Sequence, residues 1–148
     1  MLLSHYVEFQ YRYIPNDTWA TGSICMGDNK FEFGCSYLFN DPLEELLNAV
    51  YQIIPDLAPF PRKEIDCTLS TESIEYRWNF HLIDEKNVAI NIYEQGYEVK
   101  TELIFKDNVH PDDLVMAFVQ CIGKEAGLRS NQHIEWIYKQ FNLYLKSF

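Results

Sequence analysis

The stretch FEFGCSYLFNDPLEELL, residues 31–47, contains the change of pattern that decides the fold. Its first half alternates apolar side chains with polar or small ones, a period of two that indicates a strand with one buried face. A helix start follows, because Asp41 is a preferred N-cap residue, Pro42 suits the first helical position and Glu44 has the spacing of a capping-box acid. Apolar residues then recur at helical spacing until Pro55. We therefore predict a strand, a sharp junction and an amphipathic helix.

Alternating patterns predict two more strands before this junction and four after the helix. These segments cover residues 7–13, 18–26, 65–69, 74–82, 88–92 and 97–105. The turn Gly27-Asp28-Asn29 allows a positive φ at Gly27 or Asn29 and predicts a tight hairpin. The later connections are too short for a parallel crossover, so the strands are expected to form an antiparallel meander.

Two helices are predicted to close the chain. His110-Pro111 begins the first, which Gly127 is expected to cap, and Ser130 is expected to cap the second. Trp136 and Tyr144 fall off the apolar stripe of the last helix, so each either packs at its border or is exposed. The order βββ-α-ββββ-αα predicts one α+β domain over residues 1–148. We expect an antiparallel sheet of six to seven strands with the helices on one face.

The chain combines a formal net charge of −10 with 47% hydrophobic and 16% aromatic residues. Such aromatic content is typical of a packed domain and not of a disordered acidic chain. The negative charge argues against nucleic acid and anionic membranes as partners and favours a basic protein surface. Solubility alone also accounts for this much charge, and the sequence does not separate the two explanations.

Met1-Leu2-Leu3-Ser4 carries no basic segment and no long apolar segment, so we predict no targeting signal and a cytoplasmic protein. The apolar runs are shorter than the roughly 20 residues of a membrane helix. Four cysteines lack CxxC or metal-ligand spacing. Cys25, Cys35 and Cys67 are expected to be buried, reduced thiols. Two disulfides in a secreted protein remain the alternative.

No known catalytic or phosphate-binding motif occurs in the sequence, so we predict no catalytic residue, no metal ligand, no cofactor and no enzymatic activity. His81 is the histidine of most interest, since it lies beside Asn79 and Arg77 on the polar face of a predicted central strand. It is either a pocket residue that pairs with a distant thiol or carboxylate, or an ordinary surface residue.

The stretch Phe33 to Leu47 resembles a strand-to-helix junction of small uncharacterised bacterial proteins, and the aromatic strand Tyr76 to Phe80 adds to the likeness. Proteins of this size and acidity are similar to immunity proteins encoded beside polymorphic or contact-dependent toxins. The resemblance implies a non-enzymatic protein that binds a toxin domain. It carries no catalytic residue that applies to this chain.

Three functions follow from the sequence. The first is an immunity-type inhibitor whose carboxylates occlude the basic cleft of a toxin domain, with steering by charge and anchoring by aromatic residues. The second is a small-ligand binder or enzyme with a pocket between sheet and helices. The third is a homo-oligomeric structural protein, and the chain is either a monomer or a homodimer. For the first we predict partner contacts near helix starts and loops, at Glu44, Glu45, Asp56, Asp112 and Asp113.

Overall fold

A computed structural model describes residues 6–14, 16 and 18–147. The fold is α+β with antiparallel strands, as predicted. The strands are β1 (Val7–Ile14), β2 (Trp19–Met26), β3 (Asn29–Ser36), β4 (Glu64–Ser70), β5 (Ile74–Asp84), β6 (Asn87–Gly96) and β7 (Val99–Val109). The helices are α1 (Pro42–Ile53), α2 (Pro111–Lys124) and α3 (Gln132–Lys146). A short 3-10 helix (Ala126–Ser130) lies between the last two and was not predicted.

The predicted single sheet of six to seven strands is wrong. The strands form a three-stranded sheet, β1-β2-β3, and a four-stranded sheet, β4-β5-β6-β7. Each sheet has one apolar face, and stacking the two faces buries both. Phe31 and Phe33 of β3 meet Trp78 of β5 at centroid distances of 6.1 and 5.5 Å, and Phe31 lies 6.5 Å from Phe105 of β7.

The helices fill the rest of one continuous core. α1 packs against β4 and β5, α2 against β1, and α3 against α1 and α2. The ring of Phe9 on β1 lies 4.5 Å from that of Phe118 on α2. Phe9 and Tyr11 are each only 3% exposed, main chain included, so β1 leaves little of its main chain open at these positions. No helix in the described part of the chain is long and apolar enough to cross a membrane.

The predicted hairpin is confirmed, since Gly27 has a φ of 59° between β2 and β3. Two predicted helix caps are wrong. α2 ends at Lys124, before Gly127, and Asn131 caps α3 in place of Ser130. The 3-10 helix causes both differences, because it contains Gly127 and Ser130, the two residues that were predicted as caps.

All four cysteines are free. Cys35, Cys67 and Cys121 are buried, whereas Cys25 is partly exposed and its predicted burial is wrong. The reason is its position on β2: Cys25 is opposite Glu8 and Lys30 on the polar face of the three-stranded sheet. The predicted absence of a targeting signal concerns Met1-Leu2-Leu3-Ser4, which lie outside the described residues.

Candidate functional site

The starts of α1 and α3 lie side by side because their N-cap residues are hydrogen-bonded to each other. One carboxylate oxygen of Asp41 accepts hydrogen bonds from the N–H groups of Leu43 (3.0 Å) and Glu44 (3.2 Å). Its other oxygen accepts from the side-chain amide of Asn131 at 3.0 Å. The amide oxygen of Asn131 in turn accepts from the N–H of His133 at 2.9 Å. The orphan donors of both helix ends are thus satisfied together.

An aromatic group follows along the seam between these two helices. Glu44 contacts His133, with 3.1 Å between Oε1 and Nδ1. The His133 ring meets Trp136 edge-on at 6.2 Å, and Trp136 meets Tyr51 edge-on at 5.3 Å. Trp136 remains 46% exposed. We call Glu44, Tyr51, His133, Trp136 and Leu143 the α1–α3 surface.

Leu143, two turns beyond Trp136 and 62% exposed, extends this surface to the other end of α3. It lines a small cavity of about 270 Å³ together with Asp56 and Tyr144. The Tyr144 hydroxyl donates a hydrogen bond to Asp112 at 2.6 Å. Burial, the Asp112 hydrogen bond and the charges of Asp112 and Asp56 all raise the pKa of Tyr144. Carboxylates therefore gather at this end as well.

The five predicted contact carboxylates form two groups, not one patch. Glu44 and Glu45 lie in the first turn of α1, and Asp56 follows its far end. Asp112 and Asp113, in the first turn of α2, belong with Asp56, because Asp112 and Asp56 both act on Tyr144. The 12 residues of α1 separate the groups by about 18 Å. The α1–α3 surface runs between them.

Glu45 is turned away from this seam toward the four-stranded sheet. Burial raises the pKa of Cys67 on β4, and the charge of Glu45 raises it further. Glu44, Asp56 and Asp112 are thus the predicted residues that border the seam, while Asp113 is exposed beside Asp112.

Sequence reasoning missed the centre of this surface. Tyr51 is one of the apolar residues that recur at helical spacing before Pro55, which predicts burial, yet it is partly exposed and contacts Trp136. The available signal was the position of Trp136 off the apolar stripe of α3, which left its exposure open. Which helix it would contact depends on the pairing of α1 with α3, and no local pattern contains that information.

His81 lies on the open face of the four-stranded sheet and is exposed. Its Nδ1 is 3.9 Å from Glu64 on the neighbouring strand. His81 lines neither the small cavity nor a larger one of about 800 Å³ over the three-stranded sheet. Of the two interpretations of His81, this position favours the surface residue. Among the described residues, no three His, Cys, Asp or Glu side chains are grouped to hold a metal ion.

The chain matches no protein-family model, no curated protein and no solved structure. The geometry of its own residues is therefore the basis for a function.

Proposed function

We propose that this protein is a non-enzymatic binding module, an immunity-type inhibitor that neutralises a basic toxin domain through the α1–α3 surface. One observation carries the proposal: Trp136 is held half exposed by Tyr51 and His133, on a seam with carboxylates at both ends. The proposed location is the cytoplasm, where free cysteines stay reduced.

The arrangement resembles the energetic layout of known protein interfaces. Trp is among the residues most enriched at interface hot spots, and a charged or polar rim usually surrounds such anchors. Here neighbouring rings fix Trp136, so little side-chain freedom is lost on binding. Glu44 and Asp56 lie near the two ends of the seam, which suits a basic partner that covers its whole length.

The net charge of −10 supports the same partner class. A negative surface speeds encounter with a basic domain, and the carboxylates then occlude its positively charged cleft. The contact residues proposed at the seam are Glu44, Asp56 and Asp112, with Trp136 as the anchor. Glu45 and Asp113, which lie beside them but outside the seam, are proposed to add to the negative charge that attracts the partner. Hydrogen bonding of Asp112 to Tyr144 holds one of these carboxylates in place before binding.

Coexpression with the product of the adjacent gene tests the proposal. We expect a stable complex and relief of any toxicity of that product. Trp136→Ala should weaken the complex at least tenfold, as removal of a hot-spot tryptophan does. Tyr97→Ala is the matched control, because Tyr97 is 90% exposed but lies outside the α1–α3 surface.

The charges are tested separately through the association rate. Glu44→Gln combined with Asp56→Asn should slow association and reduce its dependence on salt. Glu72→Gln combined with Glu85→Gln removes the same charge from exposed turns elsewhere and should have a smaller effect. Absence of a complex together with undiminished toxicity would reject the proposed function. Equal losses of binding affinity for Trp136→Ala and Tyr97→Ala would reject the α1–α3 surface as the binding site.

A further inference from the structure

The larger cavity, about 800 Å³, is lined by the three-stranded sheet, by Tyr76 of β5 and by the second half of α2, and it shares no residue with the α1–α3 surface. This volume is within the range of small-molecule sites. Strand register explains its shape. Gln10, Ser23 and Glu32 are opposite one another across the three strands, and Arg12, Thr21 and Gly34 form the next row. Alternation along each strand places these two rows on the same face.

Small residues form the floor of this cavity, and long ones form its sides. Thr21, Ser23 and Gly34 occupy β2 and part of β3, whereas the edge strands supply Arg12 and Glu32. A Cβ atom on Gly34 would lie 2.5 Å from the ring of Trp19, so this ring covers the floor at Gly34. Thr21 and Ser23 are therefore the floor residues of β2 that lie between Arg12 and Glu32.

Ser23 lies in the floor of the cavity. It is 8% exposed, and its hydroxyl forms no hydrogen bond within the described part of the chain. Among the described residues, the fully buried polar side-chain atom without a partner is Nε1 of Trp78, so the Ser23 hydroxyl is not a buried orphan. It is open to the cavity and can donate a hydrogen bond to a ligand there.

The charges that line the cavity differ from those of the whole molecule. Three cations (Arg12, Lys30, Lys124) balance three carboxylates (Glu8, Glu32, Glu125), although the chain as a whole carries −10. The carboxylates Glu8 and Glu32 already have donors, since Glu8 accepts hydrogen bonds from Tyr6 and Gln10, and Glu32 pairs with Lys30 at 3.1 Å. The hydrogen bonds from Tyr6 and Gln10, followed by the charges of Lys124 and Lys30, lower the pKa of Glu8.

Arg12 and Lys124 are the cations left over. Neither forms an ion pair with any residue that the structure describes, and Arg12 is opposite Thr21 in the register of β1 and β2. A guanidinium group presents two parallel N–H donors that match a carboxylate or a phosphate, and hydroxyl groups add further donors. We propose that Arg12, Thr21 and Ser23 bind the oxyanion of a small organic molecule, a carboxylate or a phosphate ester, whose body occupies the cavity beside Gln10 and Lys124.

This site is independent of the proposed toxin-binding function, and it is tested on the full chain alone. Benzoate and phenyl phosphate serve as probes, in NMR titrations followed through the amide signals of Thr21 and Ser23. We expect saturable shifts at millimolar probe concentrations, and the tighter-binding probe identifies the oxyanion. Added salt should weaken binding, because the contact is between charges.

Variants then separate this site from general attraction of anions. Arg12→Gln should weaken binding at least tenfold, and Ser23→Ala about fivefold, as loss of one hydrogen bond does. Arg12→Lys keeps the positive charge but loses the two parallel N–H donors of the guanidinium group, and it should still weaken binding severalfold. Arg62→Gln is the control, since Arg62 is an exposed arginine whose Nε donates to Gln52 instead.

Thermal unfolding of each variant verifies that it folds. The proposal is overturned if neither probe gives saturable shifts at Thr21 and Ser23. It is equally overturned if Arg62→Gln weakens binding as much as Arg12→Gln does.

Discussion

Asp41 joins two helices through a single side chain, so its removal should cost more than an ordinary cap. Asp41→Ala leaves two N–H groups of α1 without their acceptor and Asn131 without its carboxylate. We expect the free energy of unfolding to fall by about 2 kcal/mol, the upper part of the range for N-caps. Urea denaturation measures this loss.

Asp41→Asn is the matched variant, because asparagine caps helices as well as aspartate does. It should retain most of the stability. An Asp41→Ala protein as stable as the original would show that the link between the two caps contributes nothing.

The cysteines provide a second prediction for individual residues. Thiolates are the reactive form, and burial raises the pKa of Cys35 to about 11 and that of Cys121 to about 12. Cys67 is buried with its pKa raised as well, whereas Cys25 is partly exposed. Iodoacetamide at about pH 8 should label Cys25 alone in the folded protein and all four cysteines in urea. Mass spectrometry counts the labels, and rapid modification of Cys35 under native conditions would contradict this picture.

Sequence reasoning succeeded where the cause is local. Asp41 caps its helix as predicted, because the capped N–H groups belong to the next residues along the chain. It failed for Tyr51 and for the partner of Glu44, because His133 and Trp136 approach from a helix far away in the sequence. The charge and aromatic content of the candidate site were visible in the sequence, but its assembly was not.

Among the elements, the three-stranded sheet depends on a glycine in its central strand. A Cβ atom at Gly22 would lie 2.6 Å from Cζ of Phe33 and 2.8 Å from the main-chain oxygen of Gln10. The ring can shift but the main-chain oxygen cannot without disturbing β1. Gly22→Ala should therefore reduce the free energy of unfolding by about 1 to 3 kcal/mol, the usual effect of overpacking.

Gly127→Ala is the control for this substitution. A Cβ atom there meets nothing within 4 Å, so the change in stability should stay within about 0.5 kcal/mol. Chemical denaturation of both variants gives the comparison. Equal effects at the two positions would mean that the contact at Gly22 relaxes freely.

The number of sheets shows the limit of prediction at this scale. Alternation identified the seven strands, since a half-buried strand carries its period in its own sequence. It did not assign them to sheets. β3 and β4 precede and follow α1 in the sequence, and their alternation does not tell whether they hydrogen-bond within one sheet or belong to two stacked sheets. The aromatic residues of β3 decide this through their contacts with Trp78, which lies more than 40 residues later in the chain.

For the whole molecule, buried thiols and phenols predict weaker stability in alkali. Cys35 and Cys121 have ordinary pKa values of 9.0 and folded values of about 11 and 12, and burial also raises the pKa of Tyr11 and Tyr37. As the pH rises, the unfolded chain therefore loses these protons at a lower pH than the folded protein does. The contribution of these groups to the free energy of unfolding is fully present below about pH 9. It falls as the pH rises toward the pKa values of the folded protein, by about 1.4 kcal/mol per pH unit for each group.

Urea denaturation between about pH 8 and pH 11 tests this slope. Cys35→Ala removes one titrating group and should make the slope shallower by that amount. A free energy of unfolding that stays level across this interval would contradict the assigned burial.

The shared cap also has a consequence for synthesis of the protein. Asp41 and Asn131 are 90 positions apart, so α1 emerges from the ribosome long before the residue that completes its N-terminal contact exists. The nascent chain therefore presents a helix without this contact until Asn131 has also left the ribosome. A chain truncated between the two residues would lack the contact altogether.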